Sequence, residues 1–160
     1  MILNEPLVFS VPGQPQGKGR ARSFRHAGGI GHYTPEKTRS YESLIQGAAI
    51  DEMRGREPSP EPVEVTIRAV FAIPRSFSKK RREAALRHEI LPARKPDMSN
   101  IAKAVEDAMN GVVFCDDCQI VRETMIKVYG PSPQVVIEVT PILFRHYALD
   151  KVMLGPYRKG

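Results

Sequence analysis

The feature that most constrains the fold is a run of apolar residues at every second position from 63 to 73. The positions are Val63, Val65, Ile67, Ala69, Phe71 and Ile73. Successive side chains of a strand point to opposite faces of its sheet, so the pattern predicts a β-strand with one buried face. A half-buried strand needs neighbouring strands and a covering layer, which the rest of the chain has to supply.

Further strands are predicted at residues 7–11, 120–129 and 134–140. We expect the last two to pair antiparallel, because only a short Gly-Pro-Ser-Pro connection joins them. A helix is predicted from Thr34, as N-cap before Pro35 at N1, to near Gly55. Its apolar face would be Tyr41, Leu44, Ile45, Ala48 and Ala49. A second, basic helix is predicted from Ser78 to about His88.

Residues 95–119 contain a third predicted helix with a complete apolar stripe. The stripe is Ile101, Ala104, Val105, Ala108 and Met109. This spacing predicts a helix that begins near Ser99, with Ser99 or Asn100 as its N-cap. At about 100° per residue, Asn100, Lys103 and Asp107 share another side of this helix and can reach a common site.

Four aspartates surround this helix. Asp97 lies just before it, Asp107 lies on it, and Asp116 and Asp117 follow a turn that brings the chain back towards it. In one interpretation they form a single site with Lys103. In the other, Asp97 only caps the helix, Asp107 pairs with a surface lysine, and Asp116-Asp117 is a solvated turn. The residues alone leave both interpretations open.

The length of 160 residues favours one domain. We predict an α/β (α+β) fold: a single small domain with a mixed β-sheet of about four or five strands and helices packed on it. The formal net charge of +6 favours a polyanionic partner. The sequence has no 18-residue apolar run and no signal-like N-terminus. We therefore expect a cytoplasmic location and no membrane partner.

Two basic tracts are candidates for DNA contact. Residues 13–33 are rich in Gly and carry Lys18, Arg20, Arg22 and Arg25 without any acid. They form either a mobile solvated loop or an arm that grips phosphates. The basic helix carries Lys79, Lys80 and Arg81, and Arg94 and Lys95 extend its charge towards the acidic group. This helix is either a solvated face or a contact for DNA arms.

The two cysteines, Cys115 and Cys118, form a C-x-x-C around the aspartate pair. A structural zinc site usually needs four protein ligands, and a thioredoxin-type motif opens a helix, whereas this one precedes a strand. We therefore expect free thiols.

The stretch 95–119 resembles the RusA family of Holliday-junction resolvases. Its signature reads K/R-P-D-x-D-N-x-x-K-x-x-x-D-A-L-x-G, followed by D-D-x-Q. The matching positions are Lys95, Pro96, Asp97, Asn100, Lys103, Asp107, Ala108, Met109 (where the family prefers Leu), Gly111, Asp116, Asp117 and Gln119. Residues 13–33 also resemble the family's basic opening. The chain departs from the signature at Ser99, where the family carries a second acid.

The resemblance implies a metal-dependent endonuclease. It assigns Mg²⁺, with Mn²⁺ as a substitute, to Asp97, Ser99 and Asp117, and it assigns cleavage to Lys103. Asp116 is a further candidate ligand, and Asp116 or Asp107 would partly compensate for Ser99. Lys127 occupies a position that is commonly basic in the family, and is a candidate DNA contact.

The resemblance also implies a homodimer that acts on branched DNA, chiefly four-way junctions, and a prophage origin. The nuclease domain would span residues 1–140, and residues 141–160 would form a tail that packs on the core or on a partner subunit. Two alternatives stay open: a junction binder weakened or inactivated by Ser99, and a nuclease for flaps or forks.

Overall fold

The computed structural model describes residues 1–19, 22–26, 28–33 and 35–142. In chain order the elements are β1 (Leu7–Pro12), β2 (Arg22–His26), β3 (Gly29–Tyr33), α1 (Glu36–Met53), β4 (Val63–Ala72), α2 (Lys79–Leu86), α3 (Met98–Met109), a 3₁₀ turn (Asp117–Gln119), β5 (Ile120–Gly130) and β6 (Gln134–Pro141). These elements confirm the predicted α+β class.

The main sheet has four strands in the order β1-β6-β4-β5. Strand β4 pairs parallel with β5 and antiparallel with β6, and β6 pairs antiparallel with β1. The sheet is therefore mixed, as predicted. A parallel pair needs a long crossover, which here contains α2 and α3.

The predicted pairing of β5 with β6 is wrong. The two strands run in opposite directions, but β4 lies between them, with Val70 opposite Gln134 and Ala72 opposite Gly130. The connection thus passes over the end of β4. Two strand spacings amount to roughly 10 Å, which four peptide steps of about 3.8 Å can span. A short connection therefore does not require adjacent strands.

The core lies between one face of the sheet and helices α1 and α3. The alternation that predicted β4 is confirmed, since Val63, Val65, Ile67, Ala69 and Phe71 are buried. The stripe that predicted α3 is also fully buried. Apolar burial of this kind contributes about 25 cal/mol per Å² to folding. These two patterns bring α3 onto the sheet and so fix the place of its polar side.

Helix α1 differs from its prediction in two details. It begins at Glu36, and Pro35 is its N-cap residue instead of N1; the proposed cap Thr34 lies outside the described residues. Leu44, assigned to the apolar face, is 60% exposed. The buried stripe recurs every four residues from Tyr41 to Met53 and drifts around the helix away from Leu44.

Helix α2 begins as predicted, because Ser78 is its N-cap and the Ser78 hydroxyl accepts a hydrogen bond from the amide of Arg81. It ends at Leu86, before the predicted end at His88, whose φ of 60° is left-handed. The basic segment contains a hairpin in which β2 pairs antiparallel with β3. Neither of these strands was predicted from the sequence.

The predicted C-terminal tail is described only as far as Ile142, so its proposed packing lies outside the described residues. None of the helices in the described ranges is long and apolar enough to cross a membrane.

Candidate active site

The start of α3 presents Asp97. Asp97 is the N-cap residue, with extended backbone, but its side chain makes no capping hydrogen bond and is exposed. The structure therefore does not support the interpretation in which the Asp97 side chain only caps the helix. The prediction that Ser99 or Asn100 caps the helix is wrong, since the helix begins at Met98 and Ser99 lies exposed in its first turn. A carboxylate at a helix N-terminus is favoured by the helix dipole.

Lys103 joins α3 to the 3₁₀ turn. Its ammonium lies 2.8 Å from Asp117 Oδ2, 3.0 Å from Asp107 Oδ1 and 3.9 Å from a carboxylate oxygen of Glu106. The hydrogen bond to Asp117, followed by that to Asp107, raises the pKa of Lys103 above its usual range. Lys103 therefore stays protonated, which suits a fixed positive charge and not a general base.

Asp107 is shared by two lysines. Besides Lys103, it accepts a hydrogen bond from Lys18, which also lies 3.3 Å from Glu42 of α1. Burial alone would raise the pKa of Asp107, but the hydrogen bonds from Lys18 and Lys103 outweigh it and hold this pKa below its ordinary value. The alternative in which Asp107 pairs with a lysine is correct for this residue. It does not exclude the site, because one of the two lysines is Lys103.

Asp116 and Asp117 have different surroundings. Asp116 Oδ1 accepts a hydrogen bond from the Cys118 amide at 2.9 Å, and the Asp116 amide donates to Gln119 Oε1 at 2.8 Å. This reciprocal pair is a capping box, and the bond from the Cys118 amide lowers the pKa of Asp116. Asp116 thus has a structural task, whereas Asp117 faces Lys103.

Gln119 anchors this turn, a role that the sequence pattern did not lead us to predict. Its side-chain amide donates to the main-chain oxygens of Ser59 and Glu61 at 3.0 and 2.8 Å. The turn that carries Asp117 is thereby tied to the segment that enters β4. The D-x-x-Q spacing is typical of a capping box and could have predicted the bond of Gln119 within the turn, but not its bonds to Ser59 and Glu61. Cys115 and Cys118 are exposed free thiols, as predicted.

Several predicted DNA contacts have intramolecular partners. Lys18 is ion-paired as described, and Lys127 donates to the main-chain oxygens of Arg94 and Pro96. The guanidinium of Arg81 lies 4.1 Å from the ring centroid of Phe77. The predicted contacts that are exposed are Arg25, Lys79, Lys80, Arg81, Arg94 and Lys95. Arg22 lies in β2, and Arg20 lies outside the described residues.

Asp97 lines two neighbouring clefts. A cleft of about 830 Å³ lies between the segment 15–19 and the start of α3, and Lys18, Lys37 and Lys95 line it together with Asp97. An apolar cleft of about 660 Å³ lies on the other side of Asp97, next to β5. The first cleft combines a carboxylate with several cations, which is the arrangement that a metal ion and a phosphate would need.

The oxygen donors fit Mg²⁺ in type. Within the described ranges no group of three or more His, Cys, Asp or Glu side chains lies close enough together to hold a metal. Mg²⁺ is usually held by only one or two carboxylates, with water and substrate phosphate completing its shell. Asp97, whose carboxylate makes no capping bond, and Asp117 carry carboxylates of the type required, and the Ser99 hydroxyl is a further oxygen donor.

The chain belongs to the RusA endodeoxyribonuclease family, since the family's sequence model matches residues 12–140. Membership implies endodeoxyribonuclease activity. The chain is also similar to a protein of Bacillus subtilis (strain 168) named "Uncharacterized protein YqaN". The two are 29% identical over 138 residues, which cover 85% of this chain and 96% of that protein.

Proposed function

We propose that this protein is a Mg²⁺-dependent endonuclease that cleaves branched DNA, chiefly Holliday junctions, as a homodimer in recombination and repair. The observation that carries the proposal is the placement of Lys103 between Asp107 and Asp117, on the helix whose N-cap residue is Asp97. The protonated lysine can approach a phosphate, while the acids supply metal ligands. A two-fold dimer would present two equivalent sites to the two strands that must be cut.

The side chains have separate tasks in this mechanism. Asp97 and Asp117 would hold Mg²⁺, with the Ser99 oxygen as a direct or water-mediated ligand. When bound, the ion activates water and neutralises charge on the phosphodiester. Lys103 holds the phosphate or stabilises the leaving oxygen as a fixed cation. Lys37 and Lys95 line the cleft beside Asp97 and offset the repulsion between its carboxylate and phosphate.

A labelled four-way junction, incubated with and without Mg²⁺ or Mn²⁺, tests the function. We expect paired cuts near the branch point only with a divalent ion, and little cutting of linear duplex. Junction binding without cutting in either metal would favour a non-catalytic binder, for which the departure at Ser99 is the specific reason. Faster cutting of flaps or forks would favour a nuclease with another branched substrate. Analytical ultracentrifugation of the free protein tests the dimer.

Neutralising Arg20, Arg22 and Arg25 together is expected to weaken DNA binding. The log–log salt slope should fall by about 0.9 for each phosphate that the protein no longer neutralises. Arg25 is exposed on the hairpin strand β2, which also contains Arg22. Fluorescence anisotropy with duplex and four-way DNA across a salt series measures the slope. Neutralising Arg54 and Arg75, which are exposed elsewhere, is the control. An unchanged slope would return the hairpin to a surface element without DNA contact.

Restoring the family acid with Ser99→Asp is expected to lower the Mg²⁺ concentration needed for half-maximal cleavage. The added carboxylate supplies a stronger ligand than the Ser99 hydroxyl. An acid in the first turn of α3 should also stabilise the helix by about 0.3–1 kcal/mol through the dipole. Metal titration of cleavage by parent and variant measures the main effect. Thermal stability should rise whether or not Ser99 is a metal ligand, so it does not test this assignment. An unchanged or higher Mg²⁺ requirement would remove Ser99 from the site.

A further inference from the structure

Lys127 is directed into the protein's own backbone. It lies on β5, one of the two edge strands of the four-stranded sheet, opposite Ala69 of β4. Its ammonium donates to the main-chain oxygen of Arg94 and, at 3.0 Å, to that of Pro96. It also lies 5.3 Å from the ring centroid of the buried Phe71. An ammonium has three donors, and here two are used by carbonyl groups of one segment.

That segment leads directly into Asp97. On its other side the chain packs tightly, because a Cβ added at Gly17 would lie 2.9 Å from the Cβ atoms of both Pro96 and Asn100. The amide of Lys18 also donates to the Asn100 oxygen at 2.8 Å. Segment 94–96 is therefore held from both sides, by Lys127 and by the segment 17–18.

The Asp97 side chain has no capping hydrogen bond to orient it. The position of its carboxylate consequently depends on the backbone that precedes α3. Hydrogen bonds from a charged donor are stronger than neutral ones and so restrain the carbonyls at 94 and 96 effectively. These two bonds commit two of the three ammonium donors of Lys127 to the backbone of residues 94–96.

We propose that Lys127 is a positioning residue: it fixes the backbone of residues 94–97 so that Asp97 is presented to Mg²⁺, and it does not grip DNA. The inference rests on the proposed function for its metal and substrate. Lys127 thus differs from the exposed cations of the same region, because the Lys127 ammonium holds carbonyl groups in place.

Lys127→Met removes the donors and keeps most of the apolar stem. We expect the Mg²⁺ requirement for cleavage to rise about tenfold, the lower end of what removal of an outer-shell partner costs. Calorimetric Mg²⁺ binding to the DNA-free protein should weaken to a similar extent. The salt slope of junction binding should not change. Hydrogen exchange should become faster at the amide of Ile101, which donates to the main-chain oxygen of Asp97. Lys127→Arg, which keeps donors, should restore part of each effect.

Lys80→Met is the control, because Lys80 is an exposed predicted DNA contact on α2, outside the segment that leads into Asp97. It should lower the salt slope by about 0.9 and leave Mg²⁺ binding to the free protein unchanged. The proposal is overturned if Lys127→Met instead lowers the slope by this amount while metal binding and exchange stay as in the parent. If Lys127→Met does not fold, Lys127→Gln, which removes the charge and shortens the reach of the donor, should give the same changes at smaller size.

The proposed function can fail separately. If the parent cuts no junction in Mg²⁺ or Mn²⁺, that function is wrong, and hydrogen exchange at the Ile101 amide, which donates to Asp97, still decides whether Lys127 holds this segment. Unchanged exchange in Lys127→Met would then overturn the positioning role on its own.

Discussion

Asp117→Asn is expected to abolish junction cleavage, with a rate decrease of more than about 100-fold, while junction binding is retained. We expect at least the upper end of the loss that removal of an outer-shell partner causes, because Asp117 is proposed as a direct ligand of the metal. The substitution keeps the shape of the side chain but removes its charge. Lys103 remains paired with Asp107 at 3.0 Å, so the helix side of the site should persist. Binding is expected to strengthen slightly, because less negative charge faces phosphate.

Cleavage and gel-shift assays on the same labelled junction measure the two effects together. Glu138→Gln is a control with the same change of charge, at an exposed position on β6. It should leave the cleavage rate unchanged. Cutting by Asp117→Asn at the parent rate would remove Asp117 from the site. A variant that neither binds nor cuts, with a lower melting temperature, would instead show that Asp117 mainly stabilises the turn through Lys103.

Periodic patterns within one segment predicted the elements that place this site. The alternation in β4 and the stripe in α3 are local signals, since each depends only on which face of its own element is buried. The α3 stripe is buried throughout, and the β4 alternation is buried from Val63 to Phe71, whereas Ile73 lies beyond the strand and is only partly buried. The order of the strands was not predictable in the same way. Strand β4 lies between β5 and β6 because residues far apart in sequence pair, for example Ile67 with Met125 and with Ile137.

The cations show a second limit of sequence reasoning. The sequence does not distinguish Lys18, Lys95 and Lys127, and all three were predicted to contact DNA. In the structure Lys18 pairs with Asp107, 89 residues away, and Lys127 donates to Arg94, 33 residues away. A charge tract does not reveal such partners, because they become neighbours only once the sheet has formed. Their tasks as DNA contacts stay predictions that salt slopes can test.

The acids show what a motif adds. The residues alone left both a capping cluster and an active site open. The structure assigns capping to Asp116 through its box with Gln119, and it places Lys103 against Asp117. The D-x-x-Q spacing was visible in the sequence and could have separated the two acids. The pairing of Lys103 with Asp117 could not be predicted, because it depends on how the turn is tied to the segment before β4.

Lys103→Met is expected to lower the cleavage rate by about 100- to 1,000-fold, the range for removal of one group that stabilises transition-state charge. The fold should be retained, because Asp107 keeps its ion pair with Lys18. Mg²⁺ binding to the DNA-free protein is expected to strengthen, since Lys103 no longer competes for Asp117 Oδ2, from which it lies 2.8 Å away. Asp117→Asn should change metal affinity in the opposite direction.

This difference in sign separates a ligand from a catalytic cation better than a decrease in activity does. Single-turnover cleavage and calorimetric Mg²⁺ titration of both variants measure it. Lys79→Met, which removes an exposed lysine from α2, is the control and should leave the cleavage rate and metal binding as in the parent at saturating protein. If Lys103→Met weakens Mg²⁺ binding, then Lys103 supports the metal site instead of opposing the ion. If the variant cuts at the parent rate, the stabilising charge has to come from another residue of the cleft.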